Sequence, residues 1–301
     1  MMSIIVVGSI AYDDVETSKG HRADQLGGSA SYFSLSASCF VPVHLVACVG
    51  DDFRKTDFEV FTKNNICTKG LEVLSGKTFR WKGTYLTDNG QAKNLETHFN
   101  VFSEFNPTIP HEYRELDYVF LAAIHPELQL RVLNQIKKPK FVVLDTRECF
   151  IQDRSVALQQ LLQKTDLFLI NDDESYLLTG HKNPHDALPL IHAMGPRYIV
   201  LKQGAQGSLV SCNNQVVSIP AYKDIDVFDT TGAGDSFAGG LVGWISQNDT
   251  ITAESITQGV HYGTIMASFA IESFGVERLM SLTERDVSKR LESFEKLISM
   301  E

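Results

Sequence analysis

Patterns for metal binding and disulfides are the first things missing from this sequence. Its five cysteines, Cys39, Cys48, Cys67, Cys149 and Cys212, are odd in number, scattered, and form no CxxC pair. Neither a disulfide framework nor a zinc site is expected, and the thiols read as buried groups in a reducing compartment. No uninterrupted apolar stretch approaches the length of a membrane span. The opening MMSIIVVGS lacks a charged n-region and has only a short apolar run, which predicts a strand, not a signal peptide, and a cytoplasmic location. Basic residues are in deficit: 27 Lys and Arg against 37 Asp and Glu give a net charge of −10. That balance argues against nucleic acid or an anionic membrane as partner. A small phosphorylated ligand stays allowed, because it needs only local positive potential. Two nucleotide signatures are also absent. No Walker GxxxxGK[ST] occurs, and the first apolar run is followed by SIAYDD instead of GxGxxG.

What is present converges on one stretch, Asp229 to Trp244, which reads DTTGAGDSFAGGLVGW. The small residues Thr230, Thr231, Gly232, Ala233 and Gly234 precede a carboxylate, Asp235. An apolar run follows, with Phe237, Leu241, Val242, Trp244 and Ile245 at roughly helical spacing, so a helix is expected to begin near Gly234. Glycines let the backbone turn tightly and approach a ligand with no Cβ in the way. A helix start has unpaired N–H groups and partial positive charge, so a glycine-rich turn feeding it is an anion cradle. Asp235 fits that cradle if phosphate oxygens bind the N–H groups while the carboxylate takes the proton of the group attacking phosphorus. That is phosphoryl transfer by positioning and electrostatics. The alternative is a capped helix with Asp235 in its first turn, favoured by the dipole.

The remainder alternates between strand and helix patterns. Apolar runs at 4–7, 43–49, 118–121, 141–145, 167–170 and 199–202, with amphipathic segments between most of them, carry the βαβ rhythm of a parallel sheet covered on both faces. With 301 residues and no repeat, low-complexity tract or linker, a single domain over 1–301 is expected. Asp13 lies past the first run, and Asp145 and Arg147 at the end of another, where α/β sheets bind ligands. A turn aspartate and a surface ion pair are the plain alternatives. Gly27-Gly28-Ser29-Ala30 opens a small-residue helix to about residue 39, and Gly50-Asp51-Asp52 is expected to cap another to about 64. From 69 to 100 the pattern alternates. Thr78, Arg80, Lys82 and Thr84 share one side, Phe79, Trp81 and Tyr85 the other, and Asp88-Asn89-Gly90 is a strong hairpin turn. Asn171-Asp172-Asp173-Glu174 is an acidic helix start, and Gly204 and Gly207 mark a turn between two strands. His125 sits at a strand end, and no histidine has metal spacing.

The DTTGAGDSF run resembles the C-terminal motif of the ribokinase-like carbohydrate kinases, the phosphofructokinase B family, at nearly every position. GGSA at 27–30, VGDDF at 49–53 and NDDE at 171–174 recur in that family's order, and the likeness spans residues 4 to about 285. The resemblance implies a three-layer α/β sandwich: a mainly parallel central sheet covered by helices. It also implies a small inserted β lid at about 13–26 and 76–104, often a homodimer contact. The activity implied is ATP-dependent phosphorylation of a hydroxyl on a small sugar or sugar-like acceptor. Asp235 would be general base, and the backbone of Gly232, Ala233, Gly234 and Asp235 the anion hole. Asp13, Gly27, Gly28, Tyr32 and His125 would bind the acceptor. Asn171, Lys202, Gly204, Gly207, Thr231, Gly232, Gly234 and Gly275 would bind ATP. Asn171 and Glu174 would support Mg²⁺ through water, and Asp229 would hold a monovalent cation, K⁺, with carbonyls near 271–275. The alternative for Asp229 is a cap on Thr230 or Thr231. Where ribokinase itself would show lysine and asparagine, this chain has Ser29 and Tyr32, which counts against ribose. The rival readings are a nucleoside kinase of the same family, with Tyr12, Tyr32, Phe33 and His125 stacking on a base, and a catalytically silent nucleotide or sugar sensor.

Overall fold

Alternating burial along short β-branched strands builds the sheet that carries the site. In the first strand, Ile4 and Val6 enter one apolar core while Ile5 and Val7 enter a second on the opposite face. The computed structural model describes residues 2–86, 92–213, 215–223 and 225–299. Its strands, in chain order, are β1 (Ile4–Val7), β2 (Ala11–Thr17), β3 (Gly20–Gly27), β4 (Val43–Gly50), β5 (Ile66–Leu74), β6 (Phe79–Thr84), β7 (Lys93–His98), β8 (Tyr118–Leu121), β9 (Phe141–Leu144), β10 (Leu167–Asn171), β11 (Tyr198–Lys202), β12 (Ser208–Cys212) and β13 (Gln215–Ile219). The large sheet has the order β13-β12-β11-β10-β9-β8-β1-β4-β5. From β5 to β11 every pair is parallel, and the β11–β12–β13 edge is antiparallel. Helices cover both faces: Ser29–Ala37 and Ala233–Asn248 pack into the first core, Pro126–Leu133 and Ser155–Leu162 into the second.

The alternating segment does not extend the large sheet. β6 pairs parallel with β2 and antiparallel with β7, giving a second sheet of order β3-β2-β6-β7. The hairpin turn Asp88-Asn89-Gly90 lies outside the described residues. One expected cap is corrected. The helix Lys55–Lys63 starts at Arg54 with no side-chain cap, because Asp51 and Asp52 are drawn away to accept from the backbone N–H groups of Gly76 and Thr78.

Two helices set the site. Ser29–Ala37 packs along Ala233–Asn248, where a Cβ at Gly239 would strike the carbonyl of Phe33 and the side chain of Ser36. Ser36 Oγ donates to the carbonyl of Ser236 at 2.6 Å. Both helix starts therefore lie side by side near the carboxyl ends of the central strands. Among the described residues no helix is long and apolar enough to cross a membrane. The thiols depart from expectation in one place: Cys48 and Cys212 are buried, Cys39 and Cys67 half-buried, but Cys149 is exposed, because it follows the end of β9 and not the strand itself.

Candidate active site

The glycine turn enters its helix through a left-handed residue, and the N–H of Ala233 donates to the carbonyl of Thr230 at 3.3 Å. Gly232 caps the helix Ala233–Asn248 at φ 72°, a left-handed conformation that disfavours other residues. A Cβ there would also run into the ring of Tyr32. Gly234 differs: a Cβ on it would meet only the Lys202 ammonium, at 3.5 Å, so this glycine faces open space toward that cation. Asp229, 2 % exposed, ties the turn to a distant loop. Its Oδ1 accepts the N–H of Thr231 at 2.8 Å and its Oδ2 that of Gly275 at 3.4 Å. Burial pushes its pKa up, against those hydrogen bonds. Thr231 Oγ1 donates to Tyr85 Oη at 3.0 Å, which fastens the chain just past β6 to the same turn.

Carboxylates crowd around it. Half-buried Asp235 sits in the first helical turn, and its pKa is raised to about 6. Burial is the main cause; Asp145 adds to it, while Arg147 and Lys202 oppose it. Asp13, buried on β2, is pushed up to about 7 by burial, with Arg147 opposing and the charges of Asp229 and Asp235 adding. Its carboxylate fills the space a side chain at Gly27 would need, and the N–H of Gly28 bonds to it. Lys202, last in β11, places Nζ 3.3 and 3.4 Å from the two oxygens of buried Asp145. Between those strands, Asn171 and Glu174 form a reciprocal capping box: Glu174 Oε2 accepts from Asn171 N at 2.9 Å, and Asn171 Oδ1 from Glu174 N at 2.8 Å. Glu174 is raised to about 7, chiefly by burial, with Lys202 opposing.

Two clefts flank this cluster. One, of about 490 Å³, is lined by Lys202, Gly204, Gly207, Thr230, Gly234 and Phe237, and runs on to Ile271. The other, of about 410 Å³, lies between the second sheet and the ends of β1, β8 and β9, with Ser9, Trp81, His125, Arg147 and Phe150 in its wall. His125, beside Phe150 with ring centroids 5.1 Å apart, does reach a cleft. Three other residues expected to stack on a base do not. Phe33 is buried against Phe120, with centroids 4.0 Å apart. Tyr32 is buried on Gly232. Tyr12 is buried with its hydroxyl donating to Asp57 at 2.8 Å. The helix and strand faces bearing these rings turn into the core. Asp145 is likewise no surface ion pair with Arg147, because it is buried and reaches past the end of β10 to Lys202. Sequence reasoning missed that pair, the Tyr85 contact and the aromatic wall of Phe79, Trp81 and Phe99. Their one legible signal was the alternation placing Phe79, Trp81 and Tyr85 on a common side.

Comparison with known proteins shows the fold and the family. A cytidine kinase of Thermococcus kodakarensis is 28 % identical over 255 residues, covering 82 % of this chain and 90 % of the relative. The Methanocaldococcus jannaschii nucleoside kinase, a crystal structure described as an archaeal member of the ribokinase family, superposes with a TM-score of 0.77 at 20 % identity, covering 97 % of this chain and 99 % of that one. An Escherichia coli protein solved in complex with ATP and Mg²⁺ gives a TM-score of 0.79 at 16 % identity, over 97 % and 100 % of the two chains. Residues 1–282 match the family described as pfkB family carbohydrate kinase, and the chain is an enzyme of that family.

Proposed function

We propose that the enzyme transfers the γ-phosphoryl group of ATP to a hydroxyl of a small sugar or nucleoside, with Asp235 as general base. The observation that carries this reading is the position of Asp235: in the first turn of the helix that the glycine turn opens, among charged groups from both clefts. The acceptor hydroxyl gives its proton to the Asp235 carboxylate as its oxygen bonds to the γ-phosphorus, and the bond from that phosphorus to the β–γ bridging oxygen breaks to release ADP. A pKa of about 6 suits a base working near neutrality. The N–H groups from Gly232 to Asp235 and the Lys202 ammonium take up charge on the transferring group, and Gly204, Gly207 and Gly275 border the nucleotide. On the acceptor side, Asp13 and the Gly27–Gly28 backbone orient hydroxyls.

Mg²⁺ fits the residues present in one manner. Among the described residues no group of three or more His, Cys, Asp or Glu could hold a metal by itself. The capping box already uses one oxygen of Glu174. Magnesium keeps several waters and shares the nucleotide's phosphates, so Asn171 and Glu174 would hold its waters, and the ion would supply charge neutralisation at the phosphates. For Asp229, two backbone N–H partners support the capping role; a K⁺ ion beside it is the further reading that dependence of turnover on K⁺ would support.

A nucleoside acceptor is favoured over a free sugar by the aromatic wall of the second cleft, since π faces suit a flat base, and by the likeness to a cytidine kinase. The test is a screen of sugars and nucleosides for ATP-dependent phosphorylation with product identification. Turnover of a nucleoside above all free sugars supports the nucleoside reading. Nucleotide binding with no turnover of any acceptor would leave only the silent sensor.

A further inference from the structure

We infer that Asp145 is a positioning residue for phosphoryl transfer: it holds the Lys202 ammonium against the glycine turn and away from the carboxylate of Asp235. The inference rests on the kinase reading above. Three neighbouring parallel strands end together here. β9 leads into Asp145, β10 ends at Asn171 ahead of the helix bearing Glu174, and β11 ends at Lys202. Lys202 thus stands among three carboxylates, Asp145, Glu174 and Asp235, each favouring its charged form. It bonds to one of them, Asp145.

Rigidity decides which. The N–H of Asp145 donates to the carbonyl of Leu121 at 2.9 Å. Its own carbonyl accepts from Gln129 Nε2 at 3.1 Å, and its Oδ1 accepts the N–H of Thr146 at 3.0 Å. The backbone of Asp145 is therefore fixed on both sides and its carboxylate is held by one N–H, whereas the lysine chain is flexible. Glu174 is committed to the N–H of Asn171. Asp235, in contrast, has no hydrogen bond among the causes acting on its charge, only burial and neighbouring charges. With Asp145 gone, and one Glu174 oxygen held in the capping box, the ammonium is free to pair with the base, and that pairing would occupy the oxygen that has to take the acceptor's proton.

The pair is also loose enough to work. Charge-assisted N–H···O bonds run at about 2.7–2.9 Å, and both distances here are longer. Nζ can turn toward a stronger anion while staying near Gly234, 3.5 Å from where a Cβ on that glycine would lie. A triphosphate presents that anion and a diphosphate lacks its outermost group, so the arrangement predicts a preference for the former that depends on both residues.

The test uses the full chain with Mg²⁺ and either ADP or the non-hydrolysable ATP analogue AMPPCP, then ATP with whichever acceptor the screen returns. Lys202→Met and Asp145→Asn are each expected to weaken AMPPCP binding about tenfold while ADP binding moves less than about twofold, and the double variant to be no weaker than Lys202→Met alone. With acceptor, kcat is expected to fall by about 10²-fold in each with acceptor KM unchanged, and Asp145→Glu to regain part of it. Losses that multiply in the double variant, or Asp145→Asn binding AMPPCP as the wild type does, would overturn the inference. Should Asp145→Asn lose its cooperative melt, Asp145→Glu and the double variant, which removes both charges, carry the same comparison. The binding measurements need no acceptor. A wild type that phosphorylates nothing strikes the kinase reading, while the coupling between Asp145 and Lys202 is still decided.

Discussion

The two clefts are built in opposite ways. Every residue lining the larger one falls between Lys202 and Ile271, a single stretch of chain that folds as a strand end, a β-hairpin, a loop and two packed helices. Its wall is mostly small or apolar, and among the described residues it holds no carboxylate. The smaller cleft draws on four separated segments, near Ser9, 79–102, 123–125 and 147–154, and buried acids stand beside it. A site that recognises one common ligand can be encoded locally by backbone and glycine. A site that must tell acceptors apart is assembled from strand ends and a second sheet, where side chains vary without disturbing the sheet itself.

The hardest blow to that division falls at the boundary. Asp235→Asn keeps the shape of both clefts and removes the proton acceptor. We expect kcat to drop by about 10²–10⁴-fold, with the rise in melting temperature on adding ADP retained. A variant turning over within a few-fold of wild type would leave Asp235 as a helix-start residue and no more.

Next in size is a contrast between two glycines in one turn. Gly234→Val should fold with its unliganded melting temperature within a few degrees of wild type, because a Cβ there meets only the Lys202 ammonium, yet lose most of the ADP-induced rise. Gly232→Ala should do the reverse. Its φ of 72° and the Tyr32 ring make the substitution destabilising before any ligand is added, by at least the ~1 kcal/mol typical of a side chain forced into that region. Calorimetry with and without ADP reads both. If both glycines affect only stability, the turn is a helix start and not a phosphate site.

That same division explains what could be read from residues alone. The parallel sheet was legible because each strand is a short apolar run whose burial alternates between two cores. The glycine turn and the helix it opens were legible because DTTGAGD carries them in consecutive residues. Tyr12, Tyr32 and Phe33 were misread because an aromatic near a glycine motif looks the same in sequence whether it faces a ligand or the core. Only packing against Gly232, Phe120 and Asp57 decides it. Asp145 and Lys202 lie 57 residues apart, and no periodicity connects the ends of strands that the fold brings together. The acidic run at 171–174 gave its helix start correctly, while its reciprocal capping is a matter of χ angles.

A smaller effect sharpens the acceptor side. Trp81 stands in the wall of the second cleft and touches nothing of the first. Trp81→Ala should raise KM for a nucleoside acceptor about 3–10-fold, the value of one aromatic contact, with KM for ATP unchanged. Equal changes in both would show that the clefts are not independent.

The smallest effect concerns stability, and it tests what the burial of Asp13 costs. Asp13 is raised from 3.8 to about 7, mainly by burial, so the folded chain holds its proton more tightly than the unfolded chain. The neutral acid is tolerated in the fold; the carboxylate is not. Its contribution to stability is therefore fully present below about pH 4 and is lost as pH rises through about 7. Asparagine keeps an oxygen for the N–H of Gly28 and never ionises. Asp13→Asn should thus match the wild type at pH 4 and melt higher at pH 8, by about 1–3 kcal/mol or roughly 2–6 °C for a chain of this size, while acceptor turnover falls. Gly234→Val, which neither adds nor removes an ionisable group, should show no such divergence with pH. If the melting difference between Asp13→Asn and wild type is the same at pH 4 and pH 8, Asp13 titrates normally and its burial carries no electrostatic cost.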